Sequence, residues 1–361
     1  MSRRGITLLT AAGLALILGV LMFVLPVPYV ILVPGPPTDT LGAVPKSTDP
    51  VISVTGAQTY DGGGHLYLTT VGVFPGPCSS HPTLFRALRA WFDSHEAVEP
   101  HQVICPPDQS SDAVQQENAN EMTQSQRDAM TAALLYLGYK PRSLQVILAS
   151  VSPSAPSAKV LRAGDVVLAV NGKPVHSPQE LRAIVGAATI GGPIAVTVDR
   201  NGKTMVLHTT VTSDEATHRP LLGVQLDQNA TFAKVKVTIG IDPNDVGGPS
   251  AGLMFTLGII DRLTPGGITG GKTIAGTGTI DGFGAVGPIG GIQQKVAAVA
   301  GFGPPDAPRV HASYFLAPAS ECADAKAAAP SSMVVVRVDT LATAVSALKA
   351  IKAGGTDFPR C

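Results

Sequence analysis

Residues 6–25 form an unbroken run without a single charge, mostly Leu, Ala, Ile and Val. About 20 apolar residues span the hydrocarbon of a bilayer as a helix, the fold that satisfies every backbone group of such a segment from within. Arg3 and Arg4 stand just before the run. Basic residues stay on the cytoplasmic side, so the N-terminus is expected in the cytoplasm and everything after Pro26 outside it. A cleaved signal peptide shares this arginine-then-apolar layout. The run is long for the apolar core of such a peptide, and Pro26-Val27-Pro28-Tyr29-Val30-Ile31-Leu32-Val33 offers no small-x-small cleavage site. The expectation is a cytoplasmic N-terminus over 1–5 and an uncleaved, single-pass transmembrane anchor over 6–26, which places the rest at the outer face of the cell membrane.

Four cysteines, Cys78, Cys105, Cys322 and Cys361, all follow the run, and none has metal-ligand spacing. An even number in an exported chain suggests two disulfides, with three pairings open. Loop locality favours Cys78 with Cys105, across an irregular insert, and Cys322 with Cys361, pinning a C-terminal tail over 352–361; four buried free thiols are the alternative. Lys plus Arg number 26 against 26 Asp plus Glu, and charged residues make up only 14% of the chain. That balance points away from nucleic acid as a partner. His65, His81, His95 and His101 show no ligand spacing, so no metal or cofactor is expected. With 45% hydrophobic content, 361 residues predict two or three domains beyond the anchor.

Residues 27–139 read as strands over 50–55 and 65–71, a helix over 83–94, a loop over 106–116 and a helix over 117–139. Nothing catalytic stands out there. Residues 140–214 are better defined. Strands over 146–151 and 166–170 precede Asn171-Gly172, and Ser177 caps a helix with Pro178 at its first position and Glu180 closing a capping box. A hairpin of 194–199 and 204–211 turns at Asn201-Gly202. This order, with Ser152-Pro153-Ser154-Ala155 followed by Leu161-Arg162-Ala163-Gly164-Asp165-Val166-Val167, resembles a PDZ domain of the protease-associated type. The resemblance implies an extended peptide added as a strand beside the helix, with 144–147 as the receiving edge. A PDZ-shaped spacer without a ligand is the alternative.

Gly247-Gly248-Pro249-Ser250-Ala251-Gly252 opens an apolar helical stretch that runs to about Arg262. Ser250 then lies near a helix N-terminus, where unpaired backbone N–H groups, those of Gly248 and Ala251, can stabilise an oxyanion. On a helix over 292–300, Ile292, Lys295, Val296 and Val299 share one face, an apolar stripe interrupted by one ammonium. Burial there lowers a lysine pKa toward the roughly 7 to 8 that suits a general base. A neutral lysine amine activates a serine without a histidine. A helix cap for Ser250 and a lysine reaching to solvent are the structural alternatives.

Residues 247–253 resemble the nucleophile motif of the Lon-type proteolytic domain, and Gly287-Pro288-Ile289-Gly290-Gly291-Ile292-Gln293-Gln294-Lys295 resembles its lysine motif. The resemblance covers roughly 220–351 and implies a Ser250–Lys295 dyad with Thr277 as a supporting hydroxyl. Many such domains carry an aspartate where this chain has Gly247. Gly248-Pro249-Ser250-Ala251-Gly252 also satisfies the G-x-S-x-G elbow of α/β-hydrolases, with Asp281 or Asp306 and His311 following in order. That elbow needs a strand leading directly into the serine, whereas a loop over 241–246 is expected. No nucleotide partner is expected.

The expected fold is α+β: an N-terminal transmembrane helix, an N-terminal region over 27–139 packing beside the protease domain, a PDZ-like β-rich domain over 140–214 and a Lon-type α/β proteolytic domain over 220–351. The expected function is ATP-independent serine endopeptidase action on exposed or unfolded polypeptides outside the cytoplasm, with the PDZ domain for substrate capture or regulation. The alternatives are a non-catalytic, membrane-tethered peptide-binding adaptor and an esterase using the elbow. Lon-type domains also imply a ring-shaped homo-oligomer.

Overall fold

The uncharged run forms helix α1 (Arg3–Val24), whose apolar side chains are exposed along its length. Its window Thr7–Val24 has a mean hydropathy of 2.4 and no residue buried by protein. This single N-terminal apolar helix has the length and composition of a membrane anchor or a signal sequence. The computed structural model describes residues 3–76, 78, 80–107, 109–214 and 218–361. Met1 and Ser2 of the expected cytoplasmic N-terminus therefore lie outside the described residues.

The chain divides into two compact units, Met1–Ala133 with Val237–Cys361, and Leu134–Lys236. In the first unit, β1 (Tyr29–Pro34) is the centre of a three-stranded antiparallel sheet. Strand β2 (His65–Leu68) belongs to a different sheet. The single strand expected over 65–71 breaks at Thr69 and Thr70. Their hydroxyls bond the carbonyls of Gly276 and Pro36 and turn the chain from one sheet into the other. Beyond the break, β3 (Val71–Phe74) flanks β1 on one side. Helix α2 (Leu84–Trp91) is capped by the Thr83 hydroxyl, which accepts from Arg86 N–H, and β4 (Ala97–Pro100) flanks β1 on the other side. Helix α3 (Ser111–Tyr136) starts six residues before the expected position, within the stretch read as loop. Ser110 Oγ accepts from Ala113 N–H there, so a polar first turn that looks like a loop by composition is a capped helix start.

The unit Leu134–Lys236 is built on an antiparallel sheet. Its strands β5 (Ser143–Val151), β6 (Val166–Val170), β7 (Pro193–Arg200), β8 (Lys203–Thr210) and β9 (Val224–Thr231) lie in the order β8-β7-β6-β5-β9. Alternate residues of these strands, Val146, Leu148, Val196 and Val198 among them, bury against Leu181 and Val185 of helix α4 (Pro178–Gly186). Asn201 and Gly202 take positive φ at the β7–β8 turn, the conformation that twists a two-residue hairpin correctly. Ser177 caps α4 by accepting from Glu180 N–H. The capping box is not closed in the expected way, because the Glu180 carboxylate accepts from His176 N–H, one residue earlier. Asp165 is 1% exposed and receives both Nε and Nη2 of Arg200, at 2.6 and 2.7 Å. Burial alone would raise its pKa, but this fork outweighs it and holds the carboxyl below its usual range.

Two expectations about this unit change. The edge proposed for peptide at 144–147 is internal: Leu144 pairs with Ala230 and Ile147 with Asp227. The outer strand is β9, which lies beyond the expected boundary at 214, and α4 packs against it. Pairing between residues about 80 apart leaves no local mark in sequence.

The chain then returns to the first unit. Almost every residue of helix α5 (Gly252–Leu263) is buried. Strand β10 (Thr273–Gly276), helix α6 (Ile292–Val299), β11 (Tyr314–Pro318), α7 (Cys322–Ala328), β12 (Val334–Val338) and α8 (Leu341–Lys352) follow. The central sheet runs Thr38–Asp39, β2, β10, β11, β12, and its last four strands are parallel. Residues 27–133 are thus not a neighbour of the segment 237–361, because β2 sits inside its sheet. Buried parallel strands read as unbroken apolar runs, which is why β11 and β12 show no alternation. The disulfides join Cys78 with Cys105 and Cys322 with Cys361. The second ties down the tail, whose Cys361 N–H bonds Val335 O of β12.

Candidate active site

Ser250 ends a loop that enters α5 without an intervening strand. The preceding strand, Lys236–Ile239, pairs with Ile52–Thr55 in a separate two-stranded ladder, so the strand-to-serine geometry of an α/β-hydrolase elbow is not formed. His311 lies with its ring against Gly301, and Asp281 accepts from Phe283 and Ala285 N–H within its own turn.

The loop is held from α3, a contribution with no signal in the sequence. Gly248 takes a φ of 81°, a conformation open to glycine at no steric cost, and its N–H donates to Asn118 O at 2.9 Å. That bond corrects the expectation for Gly248 as an oxyanion donor, since its hydrogen is already committed. Ser125 Oγ donates to Pro249 O at 2.9 Å. A side chain on Gly247 would meet Asn118 Cβ at 2.7 Å, so α3 leaves no room for a carboxylate there. Ala251 is buried, and among the described residues its N–H meets no acceptor.

Lys295 lies on α6 and is 3% exposed, flanked on its face by Ile292, Val296 and Val299, all buried. Its Nζ donates to Thr277 Oγ1 at 3.3 Å, and Thr277 Oγ1 donates to the carbonyl oxygen of Ser250 at 3.0 Å. One hydroxyl therefore connects the lysine amine to the serine backbone. Gly278 N–H gives the Ser250 carbonyl a second bond at 2.9 Å, and Leu253 N–H bonds Gly278 O, so the first turn of α5 is stitched to the end of β10. Thr277 itself is fully buried and its N–H bonds Leu316 O of β11. Three segments far apart in sequence meet here because the parallel sheet places the ends of β10 and β11 side by side.

Burial lowers the Lys295 pKa to about 8, against the opposing pull of the Glu321 carboxylate. Glu321 is a residue that sequence reasoning missed. Both its carboxylate oxygens accept from Ile289 N–H, at 3.0 and 3.2 Å, so it anchors the glycine-rich loop that leads into α6. Burial raises its own pKa, partly offset by the Ile289 bond and by Lys295. With a pKa of about 8, roughly a tenth of the Lys295 amine is neutral around pH 7. Among the described residues, no group of His, Cys, Asp and Glu is arranged to hold a metal ion.

Residues 121–211 match the family model for the PDZ domain. A stretch of 63 residues is 40% identical to the magnetosome formation protease MamE of Magnetospirillum gryphiswaldense, covering 17% of this chain and 8% of that protein. The chain thus spans less than a tenth of that relative. Among solved structures, the PDZ domain of the SdrC-like protein from Listeria monocytogenes is similar at 25% identity, with a TM-score of 0.22, over 22% of this chain and 85% of that one. A protein from Geobacillus thermodenitrificans is similar at 27% identity, with a TM-score of 0.21, over 22% of this chain and 94% of its own. The chain is a mixed α+β protein that contains a PDZ domain and one N-terminal apolar helix.

Proposed function

We propose that the chain is a membrane-anchored, ATP-independent serine endopeptidase of the Lon-like type, with Ser250 as nucleophile and Lys295 as base. The observation that carries this reading is the buried Lys295 amine bonded to Thr277, whose hydroxyl bonds the Ser250 carbonyl. Similarity to a protease-named protein over a short stretch is consistent with it. Peptide hydrolysis by a dyad needs little else. The neutral amine spends one N–H on Thr277 and keeps its lone pair for the Ser250 hydroxyl proton. The alkoxide attacks the scissile carbonyl carbon, and the Ala251 N–H stabilises the oxyanion. Lys295, now an ammonium, gives that proton to the leaving amine. The C–N bond breaks and leaves an acyl-enzyme. Lys295 then takes a proton from water, whose attack on the ester releases the acid and returns the proton to Ser250.

The PDZ domain supplies capture. An extended segment would add to the outer edge of β9, beside α4, through main-chain hydrogen bonds. In this reading the enzyme works outside the cytoplasm on exposed or unfolded segments, and two disulfides in the chain suit that compartment.

The test is casein and peptide cleavage by the purified full chain against Ser250→Ala and Lys295→Ala. Each substitution is expected to lower cleavage at least about a thousandfold. Equal residual activity in all three would overturn the protease reading and leave a membrane-tethered peptide-binding adaptor.

A further inference from the structure

Helix α2 is built inside out for a protein in water. It buries its smallest apolar residues, Ala87 at 7% and Ala90 at 0% exposure, and leaves its largest in the open, Trp91 at 69% and the following Phe92 at 87%. Phe85 and Leu88 are exposed as well. Phe85, Leu88 and Phe92 stand at i, i+3 and i+7, one continuous stripe on the helix face away from the protein. Isolated surface hydrophobics need no explanation, but such a stripe with an exposed tryptophan beside it does.

The position of α2 says what covers it. Leu84 N–H bonds Leu25 O at 2.9 Å, Val27 N–H bonds Pro82 O at 3.0 Å, and Pro26 forms a bridge with Thr83. Phe23, in the last turn of α1, packs its ring on Phe85 with centroids 4.4 Å apart. The start of α2 is thus fastened by backbone and ring contacts to the point where α1 ends, and their exposed apolar surfaces are continuous. The cation that could spoil such a surface is removed: Arg86 forks onto Glu96 at 2.6 and 2.9 Å and lies over the Phe74 ring. Arg89 remains exposed, suited to lipid phosphate at headgroup depth.

The geometry points to α2 as an interfacial helix that lies in the outer boundary of the same bilayer that α1 spans, with Phe85, Leu88, Trp91 and Phe92 among the upper acyl chains. Aromatic residues concentrate at that depth, and an amphipathic helix there immerses its apolar face by roughly 5–10 Å. The inference rests on the anchor reading of α1. Its consequence is that the first unit is held against the membrane rather than swinging from a tether at Pro26.

Trp91 is the only tryptophan of the chain, so intrinsic fluorescence reports on this face alone. The full chain is reconstituted into phosphatidylcholine–phosphatidylglycerol vesicles and floated after alkaline carbonate. Emission is then recorded with and without brominated phosphatidylcholine. The expected result is flotation, blue-shifted emission and loss of roughly half or more of the intensity to bromolipid. A Trp91→Phe/Phe283→Trp variant, which moves the reporter away from α2, is expected to float equally and to resist bromolipid. Flotation without quenching of Trp91 overturns the interfacial helix and leaves the anchor standing. If Trp91 is then also shielded from acrylamide, a protein or a second copy covers the face instead. Equal quenching of both reporters means adsorption of the whole surface and likewise overturns the proposal. Failure to float removes the anchor and the inference together.

Discussion

Lys295 is a candidate base in the proposed dyad because it is the wrong residue for its place, an amine on a buried apolar helix face. Its pKa falls from 10.5 to about 8, so between those values the unfolded chain holds the extra proton and stability rises with pH. Below pH 8 holding the buried amine charged costs about 3 kcal/mol relative to its neutral form. Lys295→Met is therefore expected to abolish cleavage yet stabilise the fold at pH 7 by about 1–3 kcal/mol in urea titration. The gain should disappear as pH approaches 10.5; a pH-independent gain would contradict the assignment. The rate profile carries the same information with its own sign. In the proposed dyad neutral lysine is the active form, so kcat/KM should rise through a limb near pH 8 and then level off. Glu321→Gln removes the influence that raises the lysine pKa and should move that limb to lower pH. Thr277→Val deletes the hydroxyl between Nζ and the Ser250 carbonyl, and kcat should drop about 10- to 100-fold with KM little changed, partly restored in Thr277→Ser. The lysine was readable as an anomaly because helical period exposes any charge on an apolar face. Glu321, Asn118 and Ser125 were not, because ordinary polar residues in polar surroundings become specific only through what they touch.

At the scale of elements, the strongest local signals were those with a backbone requirement. The Asn201-Gly202 hairpin and the Ser177 cap form as their residues dictate, whereas the edge strand of the PDZ sheet was misassigned because strand order is a long-range choice. Gly223 shows the difference. It takes a φ of 67°, and a Cβ there would lie 2.3 Å from that of Ala155, so β9 approaches the rest of the domain at a point where only glycine fits. Gly223→Val should destabilise this unit by about 1–3 kcal/mol, seen as faster amide exchange across β5 and β9; unchanged exchange would refute the constraint. The tail beside β12 depends on a covalent tie. Replacing Cys322 and Cys361 by serine opens a loop of sequence separation 39 and should cost about 2–4 kcal/mol, measured as a lower urea midpoint than that of the unaltered chain, both without reductant.

Across the whole molecule, the proposed topology sends everything after α1 outward. A phosphatase fused behind Cys361, active only where disulfides form, should be active, and an inactive but intact fusion would reverse the orientation. The sequence by itself determined the apolar N-terminal helix, the even number of cysteines, the order of the PDZ elements and the apolar helix face on which Lys295 stands, because each depends on residue type or on spacing within a few turns. Only the tertiary structure decided that β2 enters the sheet from more than 200 residues upstream of β10, that α3 clamps the serine loop, and that one threonine hydroxyl links Lys295 to Ser250. Burial and strand partnership are properties of what else excludes water at a point. No local stretch of chain carries that information.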